Sequence, residues 1–300
     1  MALSWVIFAL IAALAQAVVP LVGEYFKTQS LPLLFWMRLA VVVALVPFAI
    51  FLVPPGDPLF FVFVFIAALG AAYWDIYYLG LAAEHGGAGV VTRIEPLAVA
   101  VTFVLWLVFA PALIAEYIQS PVRGICIVFA LLGSVYFSMR LRHCPVSWPA
   151  LRRFAPATVV GALTVICGKL AMDHSGYHNG VAWYVFMQSI FSLGAYGLLL
   201  GVRPLRSKLK DLGQETRLFS RSAFVAGLAL AVPWLVHTPA KYYAISAVEN
   251  PAYVTVIGLT APFWVLLVYK TLGRRERADI LSGLGVVFFA MLLVVFSQLL

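Results

Sequence analysis

Ten stretches of about 20 mostly apolar residues dominate this chain, and a stretch of that length is what an α-helix needs to cross a bilayer. They cover approximately 3–23, 31–53, 58–83, 88–110, 120–139, 154–173, 180–201, 221–246, 251–270 and 279–298. Strands of a membrane barrel alternate in polarity and are about ten residues long, which these stretches do not match. Backbone groups in lipid must pair within their own segment, so each stretch is predicted to be a helix. Of the 300 residues, 64% are hydrophobic and 11% charged, where soluble domains are about 45–50% apolar. The expected fold class is an all-α integral membrane protein with ten transmembrane helices. No connector is long enough to form a domain outside the membrane.

The net charge of +8 could point to nucleic acid, but its distribution says otherwise. Of the twenty Lys and Arg, four lie inside spans: Arg38, Arg93, Lys169 and Lys241. Fifteen lie at the connectors after odd-numbered spans. They are Lys27; Arg140, Arg142, Arg152 and Arg153; Arg203, Arg206, Lys208, Lys210, Arg217 and Arg221; and Lys270, Arg274, Arg275 and Arg277. Only Arg123 falls at an even connector. Short cytoplasmic loops collect Lys and Arg, so the odd connectors are predicted to be cytoplasmic and both termini to lie outside. The expected location is the inner (plasma) membrane, with the lipid bilayer as a partner and no nucleic acid.

One stretch occurs twice. Tyr77-Tyr78, Glu84 and Pro96 recur in the same order as Tyr242-Tyr243, Glu249 and Pro262. The offset is 165 residues at the tyrosines and glutamates and 166 at the prolines. In each copy an apolar helix ends at a short corner, and a new helix begins with a proline in its first half. Such self-similarity is the mark of an internal repeat. The expected division is a five-helix repeat over 1–139, a basic linker over 140–153 and a second five-helix repeat over 154–300. An odd number of spans per repeat inserts the second half upside-down relative to the first. Inverted repeats of this kind are common in secondary transporters, with the substrate site near the midplane between them.

The N-terminal stretch is read as a retained first helix, not a cleaved signal, because Met1–Ser4 carries no Lys or Arg. Cys126, Cys144 and Cys167 have no metal-ligand spacing and are read as inert. No GxxxxGK[ST] motif occurs, so ATP is not the expected energy source, and no cofactor is expected.

The arrangement resembles the EamA-type members of the drug/metabolite transporter superfamily. The residues that carry this resemblance are Arg38 in FWMRLA and Glu95-Pro96 in TRIEPLAVAVTF. In the second half they are YYAISAVENPAY, Pro262 in LTAPFWVLL and the GRRERAD connector. The resemblance covers nearly the whole chain. It implies that helices 1–4 and 6–9 line a central cavity and that helices 5 and 10 are peripheral. Members of that family usually keep both termini in the cytoplasm, whereas the charges here place them outside.

An ionisable side chain inside a span is costly, so it usually faces a cavity or a partner. Lys241, with His237 one turn earlier, is the leading substrate-binding candidate, as an ammonium suits carboxylate or phosphate. Pro233 and Pro239 on either side of His237 are expected to break that helix. Lys169 is read either as a second cation at the site or as a snorkelling residue. Arg93 and Glu95 open span 4, with Pro96 freeing a backbone carbonyl there. Arg38 could pair with Glu24, Asp75 or Glu95, and Asp75 is read as a counter-ion in preference to a proton-coupling group. Trp74 and Trp234 are candidate walls of an aromatic cavity. Tyr78 and Tyr243 complete the set of candidates.

The expected function is secondary transport of a small organic solute by alternating access, coupled to a proton or a counter-substrate. Basic groups in the spans outnumber deep carboxylates, which favours an anionic or zwitterionic substrate. A flippase on the same fold and a lipid-modifying membrane enzyme are the alternatives. No H-E-x-x-H or G-x-S-x-G motif occurs, so no enzyme is expected. The assembly is expected to be a monomer or a homodimer.

Overall fold

The computed structural model describes residues 4–26, 30–84, 94–141, 148–176, 179–204, 207, 217–272 and 279–299. Within these, the side chains of 23–24, 77–84, 94, 148–154 and 299 are not described. Among the described residues every regular element is helical. The helices are α1 (Ser4–Phe26), α2 (Leu31–Phe51), α3 (Pro58–Glu84), α4 (Ile94–Phe109), α5 (Pro111–Gln119) and α6 (Pro121–Arg140). They continue as α7 (Trp148–Asp173), α8 (Gly180–Gly201), α9 (Arg221–Ser246), α10 (Ala252–Gly258), α11 (Ala261–Thr271) and α12 (Ile280–Leu299).

Proline punctuates these starts. Pro32, Pro58, Pro111, Pro121, Pro149 and Pro262 each occupy one of the first two positions of a helix. There the missing N–H would have had no intrahelical partner, and the fixed φ suits the helix. Pro96 is the third residue of α4 as described, and Thr92, whose carbonyl it was expected to free, lies outside the described residues. Helix α7 begins at Trp148, inside the stretch expected to be linker, because Trp148-Pro149 is itself a favourable start.

Pro233 and Pro239 do not break span 8. Helix α9 runs unbroken through both. Each proline removes one backbone N–H, leaving the Ala229 and Leu235 carbonyls without that partner. Packing against α1, α2, α7 and α8 keeps the rod intact, as neighbouring helices do for transmembrane prolines.

Nine of the described helices or helix pairs are long and apolar enough to cross a membrane. Helices α4 and α5 make a tenth if counted as one span, with a 98° bend between them. Ala110 takes a non-helical conformation at that bend, directly before Pro111. The residue before a proline is driven out of the α region, which is the local cause.

Polarity is arranged inside-out relative to a soluble protein. Phe51 is 85% exposed and Val108 73%, while Arg38 is 0% exposed. Ser134, Ser189, Ser192 and Asn250 are likewise fully buried. An apolar exterior around a partly polar interior is what lipid as solvent selects. The chain is a multi-pass membrane protein.

Helix α1 packs on α9, α10 and α11; α3 packs on α7 and α8; and α2 packs on α8 and α9. Helix α4 packs on α6, α7 and α10, and α6 packs on α12. Small residues permit the close crossings, as is usual where lipid offers no competing hydrophobic drive. At Gly227 of α9, a Cβ would lie 2.8 Å from the Leu33 carbonyl oxygen of α2.

The helix ends form two polar rims. At one rim the Asp57 carboxylate accepts a hydrogen bond from His174 Nδ1 at 2.6 Å. Lys169 pairs with Asp173 at 2.9 Å and points at the Ser246 carbonyl, 3.5 Å away. Arg123 joins Glu116, Glu249 at 3.4 Å and the Ser297 carbonyl at 3.3 Å. Nearby, the Tyr117 and Tyr253 hydroxyls meet at 2.5 Å. At the other rim, Trp36 Nε1 donates to the Leu218 carbonyl at 2.7 Å, and the Asp279 N–H donates to the Leu141 carbonyl at 3.1 Å.

Candidate functional site

Between the rims, polar side chains line up along α9. Helix α9 supplies Trp234, His237 and Lys241 at one-turn spacings, with Tyr242 beside them. Residues three and four apart share a helix face, so the first three look into the same space.

The first group centres on Arg38 of α2. Its guanidinium lies 4.4 Å from the centroid of the Trp234 ring, within cation–π range. Of the carboxylates open to it in sequence, its partner is Asp75 of α3, with Nη2 to Oδ2 at 3.6 Å. That distance holds the charges together but is too long for a hydrogen bond. The short bond to Asp75 comes from the Tyr196 hydroxyl of α8, which donates at 2.6 Å. None of the three guanidinium nitrogens has a hydrogen-bond partner among the described residues. Helix α8 faces this group with a stripe of buried residues one turn apart: Tyr184, Gln188, Ser192 and Tyr196. Arg38 acts electrostatically on both Tyr184 and Tyr196. Gln188, on the same stripe, has its side-chain carbonyl oxygen unpartnered among the described residues.

The second group lies farther along α9. His237 Nδ1 donates to the Ala12 carbonyl of α1 at 2.9 Å. This fixes the hydrogen on Nδ1 and leaves Nε2 as an acceptor in the neutral ring. The Trp234 and His237 rings are 5.6 Å apart, which links the two groups. Glu95 of α4 accepts a hydrogen bond from Gln16 Nε2 of α1 at 3.2 Å. Lys241 and Glu95 attract each other electrostatically. Glu95 precedes Trp106 by eleven residues, or about 16 Å of helix. Trp106 Nε1 in turn donates to the Glu249 carbonyl at the rim, at 2.7 Å. Glu95 is therefore near the middle of a hydrocarbon layer about 30 Å thick.

Tyr242 closes this end. Its hydroxyl accepts from Tyr184 at 2.7 Å. Its ring lies against Gly168, where a Cβ would come within 2.3 Å of it.

The structure thus brings Arg38, Asp75, Trp234, His237, Lys241 and Glu95 into one column. Three other candidates fall elsewhere. Lys169 is engaged by Asp173 one turn later and sits at the rim. Trp74 lies flat on Gly161 of α7, as a helix-packing residue. Tyr243 points outward and stacks on Phe8 at 5.4 Å. The buried member of that tyrosine pair is Tyr242. Tyr78 lies in α3, but its side chain is outside the described set, and Arg93 and Cys144 lie outside the described residues altogether.

Of the four basic groups counted inside the spans, Arg93 lies outside the described residues, and each of the other three has an acidic group near it. Arg38 faces Asp75, Lys241 faces Glu95, and Lys169 faces Asp173. Within the column, among the described residues, Arg38 stands beside Asp75, and Lys241 and Glu95 attract each other. Gln16, Tyr184, Tyr196 and Tyr242 belong to the column, with Gln188 on the same stripe of α8 as two of them, and none was a candidate site residue from sequence. A signal existed for the two glutamines, since an amide alone in an apolar span is as unusual as a charge.

No protein-family model matches this chain, and no curated protein is detectably similar to it.

Proposed function

We propose that this chain is a secondary-active transporter of a small organic solute, zwitterionic or anionic, of the kind its sequence resembles. In this reading it works by alternating access between two five-span halves. The observation that carries the reading is the column of paired charges near the midplane. The Arg38–Asp75 pair beside Trp234, and Lys241 within electrostatic reach of Glu95, put charges along one face of α9 in a bundle that is otherwise apolar, and such charges are costly unless they serve passage or binding.

The helix partners support an inverted repeat. Let α4–α5 be span 4 and α10–α11 be span 9, with the other helices numbered in order. Exchanging span n with span n+5 turns the pairing of spans 1 and 8 into that of 6 and 3. It turns 2 with 8 into 7 with 3, and 4 with 6 into 9 with 1. Pairings 2–7, 4–9 and 5–10 map onto themselves. A two-fold axis in the membrane plane predicts this pattern. The contact between Asp57 and His174 also requires an even number of crossings between them, which counts the bent α4–α5 as a span.

Orientation follows from the charges. Fifteen basic residues at odd connectors argue for a cytoplasmic rim there. Arg123, the exception at an even connector, is tied to Glu116 and Glu249 and adds little free positive charge to its rim.

The experiment is uptake into liposomes by the purified chain, with solutes chosen by thermal stabilisation across a panel of amino acids, carboxylates and amines. Lys241→Ala is expected to reduce uptake to background while the protein remains folded. Lys241→Arg should retain part of the uptake, since a planar fork replaces a point charge. Wild-type uptake by Lys241→Ala would overturn the reading.

A further inference from the structure

We infer that Arg38 is the docking point for the solute's oxyanion group, and that Asp75 is the internal stand-in which that group displaces, taking up one proton as it does so. This rests on the transporter reading and names the charge chemistry of the same site.

The first observation is the state of the guanidinium. Arg38 is 0% exposed, and Nε, Nη1 and Nη2 all lack a hydrogen-bond partner among the described residues. A guanidinium carries five donors in a rigid fork that matches an oxyanion with two bonds at once. A buried guanidinium whose nearest acceptors lie beyond 3.5 Å is costly, and an oxyanion of matching shape would relieve that cost. The second observation is Asp75. Its Oδ2 is bound firmly by the Tyr196 hydroxyl at 2.6 Å and only loosely by Arg38 at 3.6 Å. Asp75 therefore balances the charge without using the fork. The third is Gln188, a residue 3% exposed on the same buried stripe of α8 as Tyr196, with its carbonyl oxygen unpartnered among the described residues. On that stripe it is an acceptor available to a donor group on the solute.

The groups facing Asp75 are few. Arg38 comes from α2 and Tyr196 from α8. Helix α7 meets α3 through Val160, Gly161 and Thr164, none of which is charged. From α9, Trp234 covers the far side of Arg38. When a solute oxyanion takes the fork, Asp75 keeps only a phenol. An ionised carboxylate without a counter-ion in such surroundings is neutralised. The exchange then balances: the Arg38 cation with the Asp75 anion, plus the solute anion and one proton from the open side, gives the Arg38–solute pair and neutral Asp75. One negative charge and one proton enter together.

The test uses methanesulfonate, which stays anionic across the pH range of interest, with methanesulfonamide as the uncharged control. Intrinsic fluorescence compared between the wild type and Trp234→Phe isolates the signal of the indole beside the fork from the other seven tryptophans. Binding to the full chain in detergent should tighten about tenfold for each unit of falling pH between 8 and 6, following one linked proton. Asp75→Asn should bind at least as tightly as the wild type does at low pH, with no pH dependence. A weakly buffered sample should take up close to one proton per methanesulfonate bound, and Asp75→Asn none. Arg38→Lys, which keeps the charge but loses the fork, should lose binding at every pH. Methanesulfonate binding that is pH-independent in the wild type, unchanged in Arg38→Lys, or absent in both the wild type and Asp75→Asn overturns the inference. If solutes are nevertheless taken up into liposomes, the transporter reading survives that failure; if nothing is taken up, the transporter reading itself fails.

Discussion

Among the described residues two arginines are buried, and they are treated in opposite ways. Arg123 sits at a rim with its fork engaged by Glu116, Glu249 and the Ser297 carbonyl. It ties α5, the corner after α9 and the end of α12 to the start of α6. Arg38 sits at depth, with a carboxylate 3.6 Å away, an indole over its face and no hydrogen bond. The first arrangement is what a structural clasp requires, since both Nη atoms are matched to acceptors, with only Nε left over, and partly hydrated carboxylates share the charge. The second leaves the most directional donor set in the protein unused. A buried cation therefore separates into structural and functional kinds by how its hydrogen bonds are spent, and burial alone does not tell them apart.

Substituting each arginine breaks the comparison most sharply. Arg38→Lys should reduce solute uptake to background, a loss of at least about a hundredfold if a bidentate pair worth roughly 3 kcal/mol is removed. Its thermal midpoint should stay near that of the wild type. Arg123→Ala should do the reverse, keeping uptake at temperatures where it is folded and lowering stability by about 1–3 kcal/mol. That figure is kept below the cost of breaking a fully buried pair because the Glu116 and Glu249 side chains are 37% and 53% exposed. Thermal unfolding followed with uptake on the same preparations separates the two outcomes. Equal loss of uptake in both variants would erase the distinction.

Topology gives a test of intermediate size. A single cysteine at 208 should be labelled only after the cells are opened, and one at 178 should be labelled in intact cells, in a background without the native cysteines. The reverse pattern would exchange the two rims and put the Arg123 clasp inside.

The smallest expected effect is at the Asp57–His174 contact. The Leu59 N–H and the His174 ring hold the Asp57 carboxyl below its ordinary value of 3.8. A group whose value is lowered by folding contributes stability that is present above the unfolded value and is lost as pH falls through the folded one. The thermal midpoint of the wild type should exceed that of Asp57→Asn slightly at pH 6, and the gap should close only below pH 3.8. A gap that persists at lower pH would mean that the contact does not depend on charge.

Much of the fold was legible because lipid imposes so strict a rule on span length. The helices begin and end within a few residues of the apolar stretches, apart from the early start of α7 at Trp148 and the bend at Ala110. The bend had a marker in the sequence: Pro111 and Pro121 bracket nine residues that include Glu116 and Gln119. The tolerance of Pro233 and Pro239 was not legible, because it depends on neighbours that hold α9 from several sides. Nor was the choice between Tyr242 and Tyr243. Adjacent residues point about 100° apart, and a helix that is apolar nearly all round gives no stripe to say which direction is inward. For Arg38, the sequence offered Glu24, Asp75 and Glu95 as partners, and only the geometry selects one. Lys169 is different, since Asp173 stands one helical turn away and the pairing could have been read from spacing alone.

The continuity of α9 has a mechanical consequence. Trp234 and Lys241 are seven residues apart on one rod, a separation of about 10 Å along its axis. A stiff rod cannot shift one of them and leave the other in place. Any tilt of α9 that loosens the indole from Arg38 also changes the gap between Lys241 and Glu95, as the two arms of a lever move about one fulcrum. His237, bonded to the Ala12 carbonyl between them, stands where that fulcrum would lie.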